Sequence, residues 1–417
     1  LSGITSCEPW AATMIFETTM LPSRSRYDHT DFPIPDCLMR GAGFCGEITM
    51  TLVCNPMLNP CDGAEYCRSN ADVLALKYKD LSAGFSFGGD KELATINALM
   101  MDTHYSEFFE KIYVEEVYDE EADKMLRDMC DDVFDGYREI IKQATWLSED
   151  TRDALIEKLD NIIVLTAKDV DVNEINTKFA DCFTGDYYET VEKINELQTK
   201  LNAEEVANGT SRTHLYMPMH EVNACYNRYF NNITITLAIQ SYPFFSKDES
   251  YAFNLAGLGG TITHEVGHAF DSEGLHNDMN GVYNPSWISE EDIKALEARN
   301  KEAINYFETA FSVYNIYYVN GAQTLAENYA DLGGLEVCML LLDSEEYKEF
   351  FENYAISWAE ITTVDELKDL LKYNEHSPAI IRTNAILACL DEFYETYDVK
   401  DGDGMYIAPE DRVSRWY

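Results

Sequence analysis

The sequence predicts an α+β fold, mostly α, with one small β-sheet beside a metal-binding helix. Three observations carry this. Apolar residues step by three and four over long stretches, most clearly Ala122, Met125, Leu126, Met129, Val133, Phe134, Tyr137, Ile140 and Ile141, which is the period of a helix with one buried face. β-branched residues alternate in Ile233-Thr-Ile-Thr-Leu-Ala-Ile, the period of a strand. His264-Glu265-Val266-Gly267-His268 sets two histidines four apart, so on a helix both imidazoles reach one ion.

In chain order, residues 1–75 read as a Cys-rich, loop-rich segment, with a short strand at Glu47–Val53. Residues 76–210 read as a helical region. The stripe from Ala122 to Ile141 forms a long helix, Ser148 caps the next, and Glu149 and Asp150 occupy its first turn. Residues 167–210 are mixed and acidic, with helices and loops. Residues 211–417 open with a hairpin, one arm around Val222–Asn227 and the other from Ile233, turning at Asn231-Asn232. Gly257-Leu-Gly-Gly-Thr-Ile-Thr reads as a strand or loop entering the histidine helix, with Thr261 and Thr263 as caps and Ala269-Phe270-Asp271 extending it. Helices are expected at Ser289–Leu296, Glu302–Phe311, around Glu327, at Glu345–Trp358 and at Val364–Leu371.

The 417 residues are 46% hydrophobic and 12% aromatic, with a net charge of −44. That composition builds a large core. The charge disfavours nucleic acid, which requires a basic footprint, and anionic membrane surfaces. No apolar run approaches a membrane span. The chain opens on Leu1 without a positive n-region, so the expectation is a mature or trimmed chain. Six of eleven cysteines, Cys7, Cys37, Cys45, Cys54, Cys61 and Cys67, crowd the first segment without C-x-x-C spacing. Their density suggests disulfides, an oxidising compartment and an extracellular or cell-surface, secreted location. Asn208-Gly-Thr and Asn232-Ile-Thr are glycosylation sequons.

Chemistry concentrates in the last region. A helix with two internally satisfied histidines is the plain reading of His264 and His268. Against it stands a second constellation, Glu327-Asn-Tyr-Ala-Asp331, whose carboxylates also share a helical face. A catalytic zinc takes three protein ligands and keeps a position for water, and His264, His268 and Glu327 fill that need. Glu265 follows the first ligand directly, where it can act on the water. Asp331 can fix a ligand histidine's tautomer.

These motifs resemble the neprilysin and endothelin-converting-enzyme family of zinc metallopeptidases. The likeness runs from about residue 100 onward. It includes Val222-Asn-Ala, Tyr242-Pro-Phe-Phe, Gly259-Gly-Thr-Ile-Thr-His-Glu-Val-Gly-His-Ala-Phe-Asp, Glu327-Asn-Tyr-Ala-Asp-Leu-Gly-Gly and His376-Ser-Pro-Ala-Ile-Ile-Arg-Thr-Asn. Glu327 follows His268 by 59 positions, a longer gap than thermolysin-like enzymes have. The resemblance implies a zincin-type catalytic domain with one zinc ion, held by His264, His268 and Glu327. It implies Glu265 as general base and Asp331 as the carboxylate steadying a ligand histidine. His376 would stabilise the oxyanion, and Arg382 would hold a substrate carbonyl. Asn223 and Ala224 would pair with the substrate main chain, and Ile239, Phe244 and Trp358 would line the pocket after the cut. Peptides are the expected substrates and partners. A non-catalytic peptide-binding relative is the alternative.

The family also has a large N-terminal helical lobe, of which residues 76–210 would be a remnant with linker helices. Too few residues precede position 100 to build most of it. The tail reads Asp411-Arg-Val-Ser-Arg-Trp-Tyr, without the family's usual cysteine, and Cys225 stands where the substrate strand more often has an aromatic residue.

Overall fold

The computed structural model describes residues 106–171, 177–215, 217–314, 316–360 and 362–417. The expected Cys-rich segment, its disulfides and its strand lie outside the described residues. The helices are α1 Ser106–Val117, α2 Glu120–Gln143, α3 Glu149–Asp160, α4 Tyr187–Asn208, α5 Tyr251–Asn254, α6 Gly260–Gly267, α7 Glu290–Thr309, α8 Leu325–Leu340, α9 Tyr347–Ser357, α10 Val364–Tyr373, α11 Ala379–Leu387 and α12 Asp391–Tyr397. The strands are β1 Ile163–Leu165, β2 Ala224–Asn227 and β3 Asn232–Ile235, and the zincin-like, mostly helical α+β class holds. No described helix is long and apolar enough to cross a membrane.

The chain forms two compact units. One takes in the described residues up to Asp119, Thr166–Asn223 and Thr236–Ala238; the other comprises Glu120–Leu165, Ala224–Ile235 and Ile239–Tyr417. In the first, Tyr113, Val114, Ala167, Met219, Leu237 and Ala238 form a small core. Thr166 and Asp169 form a reciprocal capping box.

In the second unit the apolar stripe forms α2 as expected, burying Ala122, Leu126, Met129, Val133, Tyr137, Ile140 and Ile141. Ser148 caps α3, its Oγ accepting from the Thr151 N–H. The hairpin forms in a shorter version, with β2 antiparallel to β3 and Tyr226 opposite Ile233. Asn231 closes the turn in the left-handed region at φ 46°. The sequence reading missed β1, which pairs parallel with β3 and completes the order β1-β3-β2. Three residues are too few for periodicity to show. The two helices expected between Ser289 and Phe311 are one, α7, capped by Ser289.

The entry to α6 corrects the sequence reading. Thr261 and Thr263 are not caps: their hydroxyls donate back to the carbonyls of Gly257 and Gly260. The helix begins earlier, where Ser250 accepts from the Phe253 N–H, and runs through a π-helical turn, Leu255–Gly259, into α6. Gly257 is required there, since a Cβ would lie 2.3 Å from the carbonyl oxygen of Phe244. At the other end Ala269-Phe270-Asp271 does not extend the helix, which ends at Gly267 with His268 as its C-cap; Ala269 and Phe270 continue as tighter turns, bonding back to the Val266 and Gly267 carbonyls.

α6 packs against α8 through small residues. A Cβ on Gly334 would sit 2.8 Å from Thr263 Oγ1 and 3.1 Å from the His264 nitrogen. One on Gly267 would sit 3.0 Å from Ala330 Cα. This close approach places the histidines of α6 against the carboxylates of α8.

Candidate metal centre

His264 and His268 lie one turn apart, with ring centroids 4.6 Å apart and planes nearly perpendicular. Each ring is oriented by its own carboxylate. His264 Nδ1 is 2.7 Å from Asp331 Oδ1, and His268 Nδ1 is 2.8 Å from Asp271 Oδ2. With each Nδ1 held by a carboxylate, both Nε2 atoms turn toward one point, 3.0 Å apart. Glu327 closes the triangle, Oε2 3.2 Å from His264 Nε2 and Oε1 3.5 Å from His268 Nε2.

The three donors can hold a metal ion. Ligand atoms bound tetrahedrally to zinc lie roughly 3.3–3.6 Å apart, close to the separations found. Burial alone would raise the Glu327 pKa, but neighbouring His268 and hydrogen bonds from His264, His268 and His376 hold it well below the usual range. Burial lowers the pKa of each histidine, but Asp331 beside His264 and Glu327 beside His268 outweigh it and raise both, so an ion would bind there in exchange for protons.

Arg382 completes the second layer. Its Nε donates to Asp331 Oδ2 at 2.6 Å and its Nη2 to Oδ1 at 2.7 Å, a two-pronged clamp in a buried site. Burial opposes ionisation of Asp331, yet Arg382 and then His264 keep its carboxyl below the ordinary value. Trp358 lies against the guanidinium, 4.1 Å from Cζ to ring centroid. His376 Nε2 is 3.0 Å from Glu327 Oε2, and its Nδ1 is 2.9 Å from Asn374 Oδ1.

Glu265 is buried beside the ligands, and its Oε2 accepts the backbone N–H of Tyr226 at 2.7 Å. That N–H points away from β3, so Ala224, two residues earlier, faces the same way along β2. β2 is the edge of the three-stranded sheet among the described residues. Asn223 precedes it and is buried, as is Ile239; Phe244 is half-buried. The structure thus brings His264, Glu265, His268, Glu327, Asp331, His376, Arg382 and Trp358 together. Asn223, Ile239 and Phe244 keep roles that only the sequence resemblance suggests.

Sequence reasoning missed Asp271. It was read only as helix extension, although a carboxylate three residues beyond His268 can reach back to it. Its other oxygen accepts the N–H groups of Glu273 and Gly274 at 2.7 and 2.6 Å, capping the turn after the helix.

Two models of peptidase family M13 match the chain, at residues 86–167 and 223–413. The neutral endopeptidase of Lactococcus lactis is 32% identical over 320 residues, covering 76% of this chain and 50% of the relative. Endothelin-converting enzyme 1 of Cavia porcellus is 26% identical over 315 residues, covering 70% of this chain and 41% of the relative. The inhibitor complex of zinc metalloprotease ZMP1 from Mycobacterium tuberculosis has a similar fold, with a TM-score of 0.68 at 24% identity, over 79% of this chain and 51% of that one. The chain spans about half the length of the curated relatives it matches.

Proposed function

This chain belongs to peptidase family M13, and we propose that it is a zinc-dependent endopeptidase that cuts oligopeptides, with Glu265 as general base. One observation supports this most: two imidazoles and Glu327 converge, each imidazole turned by a separate carboxylate, with a buried glutamate alongside.

His264, His268 and Glu327 would hold the zinc, which supplies a Lewis acid for both water and the scissile carbonyl. Glu265 takes the proton of the attacking water and passes it to the leaving amine. The Tyr226 N–H holds one carboxylate oxygen and leaves the other to move the proton. His376 donates to the oxyanion as charge builds on the carbonyl oxygen. Arg382, fixed by Asp331, binds a substrate backbone carbonyl. An extended peptide adds to the edge of β2 at Ala224, and Asn223 contributes amide hydrogen bonds. Ile239, Phe244 and Trp358 receive the side chain after the cut, where burying a Phe or Leu contributes about 1.5–3 kcal/mol.

The test is digestion of a mixed-length peptide library, read by mass spectrometry with and without a chelator. The expected result is chelator-sensitive cleavage on the amino side of large apolar residues. Cleavage before Lys, Arg or Asp would overturn the pocket assignment, and chelator-resistant cleavage would overturn the zinc reading.

A further inference from the structure

Lys158 is fully buried near the C-terminal end of α3. Among the described residues its ammonium pairs with no carboxylate. It donates to two carbonyls of the loop that follows the metal helix, Gly274 O at 2.6 Å and Asn277 O at 2.7 Å. The Trp287 ring lies 5.4 Å away on another side. Burial lowers its pKa to about 7, while the charges of Asp271 and Asp278 favour the ammonium.

The Gly274 peptide links this lysine to the metal site. Its carbonyl binds Lys158, and its N–H binds the Asp271 carboxylate that orients His268. A side chain at position 274 would collide with the His268 carbonyl, 1.9 Å from a Cβ, so the loop lies directly against the ligand's backbone. Asn231 works beside Lys158. Its Nδ2 donates to the carbonyls of Lys158 and Met279, both at 3.0 Å, and its Oδ1 accepts from the Tyr226 hydroxyl at 2.8 Å. Tyr226 is the residue whose N–H holds Glu265.

We propose that Lys158 and Asn231 are a positioning pair: through the 271–281 loop they aim His268, and through Tyr226 they hold the strand whose N–H binds Glu265. Neither residue touches the metal ligands' donor atoms. Together they tie carbonyls of this loop to the rest of the fold, adding to the loop's own short-range backbone bonds, such as Asn277 N–H to Gly274 O and Gly281 N–H to Asp278 O. Carboxylates next to a ligand histidine are the usual outer layer of such a site. Here the layer extends one step further, to a buried ammonium. The proposal rests on the zinc-peptidase reading above.

The test uses the whole chain with Lys158→Met and Asn231→Gly. Lys158→Met keeps an unbranched side chain, one atom shorter, and removes the donor. Asn231→Gly keeps the left-handed backbone at φ 46° without strain and removes only the carboxamide. Zinc affinity is measured by competition with a chromophoric chelator, and ligand geometry by the visible spectrum of the cobalt(II) form. Lys158→Met is expected to weaken zinc about 10–100-fold and alter the cobalt spectrum. Asn231→Gly is expected to weaken zinc by several-fold and to lower kcat more than it raises KM, since Tyr226 holds Glu265 and also lies on the β2 edge that receives the peptide. If Lys158→Met does not fold, Asn231→Gly decides alone. Wild-type zinc affinity and cobalt spectrum in a folded variant with reduced thermal stability would overturn the proposal, because the pair would then be structural only. Failure of the wild-type chain to bind either ion would overturn the metal-centre reading itself, and this one with it.

Discussion

Glu265 holds one oxygen against the Tyr226 N–H, and this fixes what its amide replacement would do. In Glu265→Gln the amide oxygen keeps the Tyr226 bond, and the nitrogen takes the place of the proton-accepting oxygen. Zinc stoichiometry should be unchanged and turnover should fall about a hundredfold or more. Near-normal turnover with zinc bound would remove Glu265 from the proton path. The two carboxylates behind the histidines separate in the same manner. Asp271→Ala and Asp331→Ala should each weaken zinc about 10–100-fold, because each frees an imidazole to turn. Asp331→Ala also strips Arg382 of its clamp. It should therefore raise KM and lower folding stability by about 3–5 kcal/mol, the cost of leaving a buried charge unpaired. Equal KM values for the two variants would separate Arg382 from substrate binding.

At the scale of elements, the closeness of α6 and α8 explains why two motifs 59 positions apart act as one site. The glycines make that closeness possible. Gly334→Ala would push a methyl against Thr263 Oγ1 and the His264 backbone at 2.8 and 3.1 Å. Backbone cannot yield as a long side chain can, so the helices must part. The expected cost is about 1–3 kcal/mol of stability together with weakened zinc binding, read by thermal unfolding of the metal-free chain and by chelator competition. A wild-type zinc affinity would mean that helix spacing does not set the site. Much of this was legible beforehand. The spacing of His264 and His268, the pair Glu327 and Asp331, and the stripe on α2 are local periodicities that survive folding unchanged. What escaped was set by partners distant in sequence. Gly257 to Thr263 reads as a strand or loop entering the helix because glycine and threonine disfavour helix. The close approach of the Phe244 backbone selects glycine there, within a continuous helix. Asp271 read as helix because the break after His268 depends on its own carboxylate capping the next turn.

At the scale of the whole molecule, the segment around Trp416 closes the site from behind. Trp416 is 1% exposed and meets Tyr137 and Phe270 edge-on, at 6.1 and 5.8 Å. Arg415 donates to the carbonyl of Phe270, just past the metal helix. Tyr137 donates to the Thr263 carbonyl within α6 at 2.6 Å. Glu336 on α8 anchors the segment by accepting the N–H groups of Arg415 and Trp416 at 3.2 and 3.1 Å. Burial raises its pKa to about 7, although hydrogen bonds from Ser414, Trp416 and Arg415 pull the other way. The sign of the consequence follows from proton counting. Below about pH 4.5 Glu336 is protonated both folded and unfolded, and its contribution to stability is complete. Between there and about pH 7 the folded chain keeps a proton that the unfolded chain has released. Stability therefore falls as pH rises through that window and levels off above it. The loss at this one site is of order 3 kcal/mol. Glu336→Gln imitates the protonated acid and cannot ionise, so it should be slightly less stable than wild type at pH 5 and more stable at pH 8. Denaturant unfolding of the two metal-free proteins at both pH values isolates this group from the other carboxylates, which the pair shares. A wild-type advantage that is the same at both pH values would mean that Glu336 ionises in the folded chain as readily as in the unfolded one, and that the tail is anchored by a charge rather than by a neutral acid.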